Sequence, residues 1–140
     1  MYTLHFDGGT RLTEKNKPGG AGAVIFDSKG KIVAKVGKYI EGTTNNFCEY
    51  SALILGLSTA LDMGIRRLQV KGDSELVVKQ VKGEYKVKNA ILKELHSEVI
   101  KLMKEFDEIF ISHVYREYNK EADALADLCI LMKKDYKEIL

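Results

Sequence analysis

Apolar and polar positions alternate in short runs over the N-terminal part of the chain and recur at helical spacing over most of the rest. Residues 1–7 alternate weakly and end at Asp7. Residues 8–20 are polar and glycine-rich and hold the only proline, Pro18, so they read as a loop. Residues 21–27 and 31–39 are two β-rich runs joined by Ser28-Lys29-Gly30, a hairpin signal. Three successive strands with short connections predict an antiparallel meander.

The period then changes. Thr43 and Thr44 are N-cap candidates for a helix of about 18 residues that Gly64 ends. A strand over 67–72, a short helix from Ser74 and a longer helix over 89–106 follow. In the longer helix, Ile91, Leu95, Val99, Leu102 and Phe106 mark one apolar stripe. A strand over 108–114 and a last helix over 119–134 complete the order βββαβααβα. Strands linked through helices pair in parallel by right-handed crossovers, while the first three pair antiparallel. The predicted fold is α/β, a mixed five-stranded sheet with helices on both faces.

Composition narrows the class. A chain of 140 residues, 45% hydrophobic and 30% charged, suits a single domain with one core. No apolar stretch approaches the roughly 20 residues of a membrane helix, and the N-terminus does not resemble a leader. A cytoplasmic protein without a membrane partner is therefore expected. Cys48 and Cys129 read as reduced thiols, with a single bridge between them as the alternative. A net charge of +2 is too small to demand a polyanionic partner. Lys79, Lys82, Lys86, Lys88 and Lys93 nevertheless gather on a short stretch, either as a phosphate-binding patch or as a solvated helix face.

Candidate chemistry lies in four acids at element boundaries: Asp7, Glu49, Asp73 and Asp123. In an open α/β sheet, ligands collect beyond the carboxyl ends of parallel strands. Asp7 and Asp73 close two strands expected to be neighbours. Glu49 heads a stripe continued by Leu53, Gly56 and Ala60, which faces the sheet. A buried, unpaired carboxylate is costly, so converging acids imply a hard cation between them.

These blocks carry a resemblance. Phe6-Asp7-Gly8-Gly9, Gly20-Ala21-Gly22-Ala23-Val24, the segment from Thr44 to Ala52, Gly72-Asp73-Ser74 and the segment from Asn119 to Ala126 resemble, in order, the type 1 ribonuclease H family. The similarity runs from about residue 2 to 130 and implies a short form of the ribonuclease H-like fold, without the basic protrusion of many bacterial members. It implies a monomer that cleaves the RNA strand of RNA–DNA hybrids with two Mg²⁺ ions, Mn²⁺ being a substitute, leaving 3′-hydroxyl and 5′-phosphate ends. Double-stranded RNA is a further candidate substrate. The alternative is an inactive nucleic-acid-binding module of the same fold.

The resemblance also assigns roles. Asp7 would bridge both ions, Glu49 and Asp73 would serve the leaving-group side, and Asp123 the nucleophile side. Asp127 shares a helix face with Asp123; the family block selects Asp123 and leaves Asp127 to pair with Lys120 or Lys133. Asn45 and Asn46 would read 2′-hydroxyls, the atoms that separate RNA from DNA. Thr44 and Arg11 would hold a DNA-strand phosphate, and Gly8 and Asn119 would complete the substrate contacts. The family's loop histidine has no clear counterpart. His113 falls at the strand end, and Arg116 occupies the loop, where it would contact the scissile phosphate.

Overall fold

A computed structural model describes residues 1–11 and 15–140. Its strands are β1 (Tyr2–Thr10), β2 (Gly19–Phe26), β3 (Ile32–Ile40), β4 (Arg67–Gly72), β5 (Glu108–His113) and β6 (Tyr136–Ile139). Its helices are α1 (Asn45–Asp62), α2 (Glu75–Val81), α3 (Ala90–Met103) and α4 (Lys120–Met132), with a 3₁₀ turn at Arg116–Tyr118. The sheet order is β5-β4-β1-β2-β3-β6. β4 runs parallel to β1 and to β5, and the remaining pairs are antiparallel.

The α/β class and mixed pairing agree with the sequence reading, but the sheet has six strands among the described residues, not five. After α4, Lys133 turns the chain in the left-handed region (φ 52°) and Asp135 Oδ1 accepts the Tyr39 amide at 2.9 Å. The chain then pairs Gly37 with Tyr136 and Ala34 with Ile139. The first loop is shorter than predicted. β1 does not end at Asp7, because Gly8, Gly9 and Thr10 continue the ladder opposite Ala21, Gly20 and Gly19. Glycines supply no side-chain alternation, so this extended segment reads as loop in the sequence. The part of that loop at 12–14 lies outside the described residues.

Helix ends follow their signals. Thr44 Oγ1 accepts the Phe47 amide, Ser74 Oγ that of Val77, and Asn89 Oδ1 those of Ile91 and Leu92. Each satisfies donors that the first helical turn leaves open. α3 ends at Met103; Val99 is fully buried, whereas Ile91, placed on its stripe by the sequence, is exposed. Cys48 and Cys129 are both free and buried. None of the described helices is long and apolar enough to cross a membrane.

Two layers cover the sheet. Leu4, Phe6, Ala23, Ile25, Leu53, Leu57 and Val99 join the main core beneath α1 and α3, and Val24, Ala122 and Leu125 form a smaller one beneath α4. β2 is therefore buried on both faces. α4 rests almost on its backbone, since a Cβ on Gly22 would lie 2.5 Å from the Ala122 carbonyl oxygen and one on Gly20 would strike Ala126. Gly22→Ala is expected to destabilise the protein by about 1–3 kcal/mol through overpacking, measured as a lower denaturant midpoint with an unchanged slope. An unchanged midpoint would show that α4 can lift freely.

Candidate active site

The parallel pairing of β1 with β4 ends at Phe6 opposite Gly72. Asp7 is thus the first β1 residue beyond β4, though it still pairs with Gly22 on β2. Asp73 directly follows the last residue of β4. Glu49 comes from the second turn of α1, on the buried stripe with Leu53, Gly56 and Ala60. Each of these three carboxylates offers an oxygen within 4.8 Å of those of the other two.

Close approach of α1 makes this possible. A Cβ on Gly8 would run into the backbone of Cys48 and Glu49. Its absence lets the Gly8 amide donate to Glu49 Oε1 at 2.7 Å. Gly8 lines the cleft, where the sequence reading placed it against substrate, and its N–H orients Glu49. Asp123, in the first turn of α4, lines the same cleft and acts on the Asp7 carboxyl. The structure thus gathers three predicted acids tightly and sets the fourth beside them.

The electrostatics are those of a crowded, partly dry site. Burial first, then the charge of Glu49, pushes the Asp7 carboxyl far above the ordinary carboxylate range, and Asp123 and Asp73 add to it. Glu49 is raised by burial and by Asp73, against the lowering effects of the Gly8 amide, Asp7 and the Arg116 guanidinium. Asp73 Oδ2 is buried without a hydrogen-bond partner. An orphaned carboxylate oxygen inside an all-oxygen donor set fits a hard divalent cation. These acids cannot all be ionised cheaply without a cation among them.

Arg116 opens the 3₁₀ turn, lines the cleft and lowers the Glu49 pKa. His113 ends β5, exposed, with its ring edge-on to Tyr115 at 5.7 Å, and is not part of the cleft wall. Asn45, the first α1 residue, lines the cleft. Its Oδ1 accepts from the Thr10 amide (2.9 Å) and hydroxyl (3.0 Å), which leaves the amide nitrogen to donate outward. Arg11 stands on the rim with Asp127, 3.4 Å apart, so Asp127 pairs with this arginine and not with Lys120 or Lys133. Thr44 and Asn46 line a neighbouring hollow with Phe47, Asn89 and Leu92, across the α1 N-terminus from the acids. Within the lysine stretch, Lys79 is held by Glu75 at 2.8 Å and by the Tyr85 ring, while Lys82, Lys86, Lys88 and Lys93 are exposed and outside the cleft wall.

Asn119 departs most from expectation. Predicted as a substrate contact, it is fully buried. Its Nδ2 donates to the Phe6 carbonyl at 2.9 Å and its Oδ1 meets His5 Nδ1 at 3.2 Å. With both ends of the amide engaged inside the protein, it cannot reach a ligand. The sequence carries no signal for this pairing, whose members lie 113 and 114 positions apart.

Comparison with known proteins places this geometry among relatives. The family model described as reverse transcriptase-like matches residues 5–129. The chain is similar to ribonuclease HI of Halobacterium salinarum, 38% identical over 123 residues, which cover 88% of this chain and 61% of that protein. It is also similar to the bifunctional protein Rv2228c of Mycobacterium tuberculosis, 38% identical over 89% of this chain and 34% of the relative. The chain therefore spans about a third to three fifths of the curated relatives it matches. Among solved structures, LC11-RNase H1 in complex with an RNA/DNA hybrid superposes with a TM-score of 0.87 at 35% identity, over 95% of this chain and 99% of that one.

Proposed function

The chain belongs to the type 1 ribonuclease H family, and on that premise we propose that it hydrolyses the RNA strand of RNA–DNA hybrids, leaving 3′-hydroxyl and 5′-phosphate ends. The observation that carries the proposal is the cluster of Asp7, Glu49 and Asp73, with its orphaned Asp73 oxygen, at the carboxyl end of the parallel strands.

In this reading Asp7, Glu49 and Asp73 would hold one Mg²⁺, and Asp7 with Asp123 would hold a second; Mn²⁺ would suit the same oxygen donors. Bound there, the ions would supply the charge that activates a water and stabilises the departing oxygen. The protein's own groups orient the substrate. The Asn45 amide nitrogen, held outward by Thr10, donates to a ribose 2′-hydroxyl in the minor groove. Thr44 and Asn46 line the neighbouring hollow at the α1 N-terminus, from which Thr44 would hold a DNA-strand phosphate and Asn46 would reach a 2′-hydroxyl. Arg116 stays protonated, so it contacts phosphate and does not transfer a proton.

The test is cleavage of labelled RNA–DNA hybrid, double-stranded RNA and single-stranded RNA in Mg²⁺, Mn²⁺ or EDTA. Metal-dependent cutting of the hybrid supports the proposal; binding without cutting would identify an inactive module. Cutting of the double-stranded RNA would widen the substrate class. Arg116→Ala is expected to lower turnover by roughly 10²-fold. Wild-type turnover in Arg116→Ala, with loss in His113→Ala, would move the auxiliary role to the histidine.

A further inference from the structure

We infer that Asn119 is a positioning residue that sets the gap between Asp7 and Asp123, an inference that rests on the two-site reading above. Four hydrogen bonds meet at this residue. Its side chain holds Phe6 O and His5 Nδ1, the two positions just before Asp7. Its backbone N–H donates to Arg116 O at 3.0 Å, and its carbonyl accepts the Asp123 amide at 3.1 Å. One buried residue therefore joins the strand that carries Asp7, the loop that carries Arg116 and the turn that carries Asp123.

Asn119 stands at the N-cap of α4, where asparagine ordinarily bonds the open donors of its own helix. Here the side chain makes no cap bond and reaches across to β1 instead. Other contacts also hold these two elements. β1 is already held on both sides by β2 and β4, and the body of α4 is seated by its contact with Gly20 and Gly22. What the side chain adds is control over the free end of α4, and Asp123 lies in that first turn. Shared ligation by Asp7 and Asp123 needs this gap held to about 0.5 Å. His5 supports the arrangement, since a ring N–H toward Asn119 Oδ1 leaves the Asn119 Nδ2 free for Phe6 O.

The experiment compares wild type, Asn119→Ala, Asp123→Asn and the double variant. Mn²⁺ binding to the free protein is followed by the resonance of unbound Mn²⁺, and the Mn²⁺ concentration for half-maximal hybrid cleavage is measured alongside. Asn119→Ala is expected to weaken Mn²⁺ binding and raise the cleavage requirement about 10–100-fold, as for groups that orient ligands. Adding Asp123→Asn should then change little more, because both act on one subsite. Additive losses, or an unchanged Mn²⁺ requirement, would make Asn119 merely structural and overturn the inference. If Asn119→Ala does not fold, His5→Leu and His5→Gln replace it. The glutamine keeps a donor toward Asn119 and should retain wild-type Mn²⁺ dependence, while the leucine should not; equal behaviour would overturn the inference. Failure of the wild type itself to cut hybrid would instead remove the underlying reading.

Discussion

Asp7→Asn is expected to lose metal-dependent hybrid cleavage by about 10³-fold or more while the protein stays folded. Glu49, Asp73 and Asp123 each act on the Asp7 carboxyl. Removing its charge removes the group shared by both proposed subsites. A bound ion contributes several kcal/mol of charge stabilisation, and each 1.36 kcal/mol is about tenfold in rate. Asparagine is nearly the same size, and the backbone pairing of residue 7 with Gly22 does not depend on the side chain. In EDTA near neutral pH the variant should unfold at a higher temperature than wild type, since asparagine removes the cost of keeping a proton on a carboxyl that the unfolded chain would release. Single-turnover cleavage of labelled hybrid and thermal unfolding in EDTA check both halves. Cleavage within tenfold of wild type would remove Asp7 from the centre of the mechanism.

How much of this was legible depended on whether a residue's neighbours lie along the chain or across it. Glu49 was readable because Leu53, Gly56 and Ala60 declare its buried face at helical steps. Asp73 was readable because the strand and the capped helix around it are both strong local patterns. The β1 extension through Gly8 and Gly9 was not, because glycine has no side chain to alternate. Nor was β6, four residues whose strand character comes from pairing with β3. Asp123 and Asp127 lie one turn apart, so periodicity cannot separate them; the structure does, with one against Asp7 and the other on the rim with Arg11. Asn119 was misread for a related reason. An amide that reads a substrate and an amide that braces a strand are the same letter, and only the three-dimensional partners, His5 and Phe6, tell them apart.

Between pH 6.5 and 8, the metal-free protein is expected to lose about 1–3 kcal/mol of stability as pH rises. Glu49 is held up to about 8 and Asp7 up to about 10, against 4.5 and 3.8 for the ordinary groups. In this window the folded protein keeps protons that the unfolded chain has already released. Stability then falls with rising pH, since its slope follows the protons bound unfolded minus those bound folded. A single group contributes at most about 1.4 kcal/mol per pH unit, and mutual coupling within the cluster reduces the sum. The limits of the window come from other groups. His5, whose pKa is lowered chiefly by burial, favours the folded state increasingly up to its ordinary value of 6.5, so it opposes the trend only below that point. The Cys48 and Cys129 thiols, raised by burial from 9.0, add to the fall only above it. Denaturant unfolding in EDTA across the window should show the decline, and Asp7→Asn should flatten it. Millimolar Mg²⁺ should reverse it, because a cation that requires ionised carboxylates binds better as they lose their protons. A stability that is level or rising in EDTA would mean the acids ionise freely, and the case for a cation at their centre would lose its electrostatic basis.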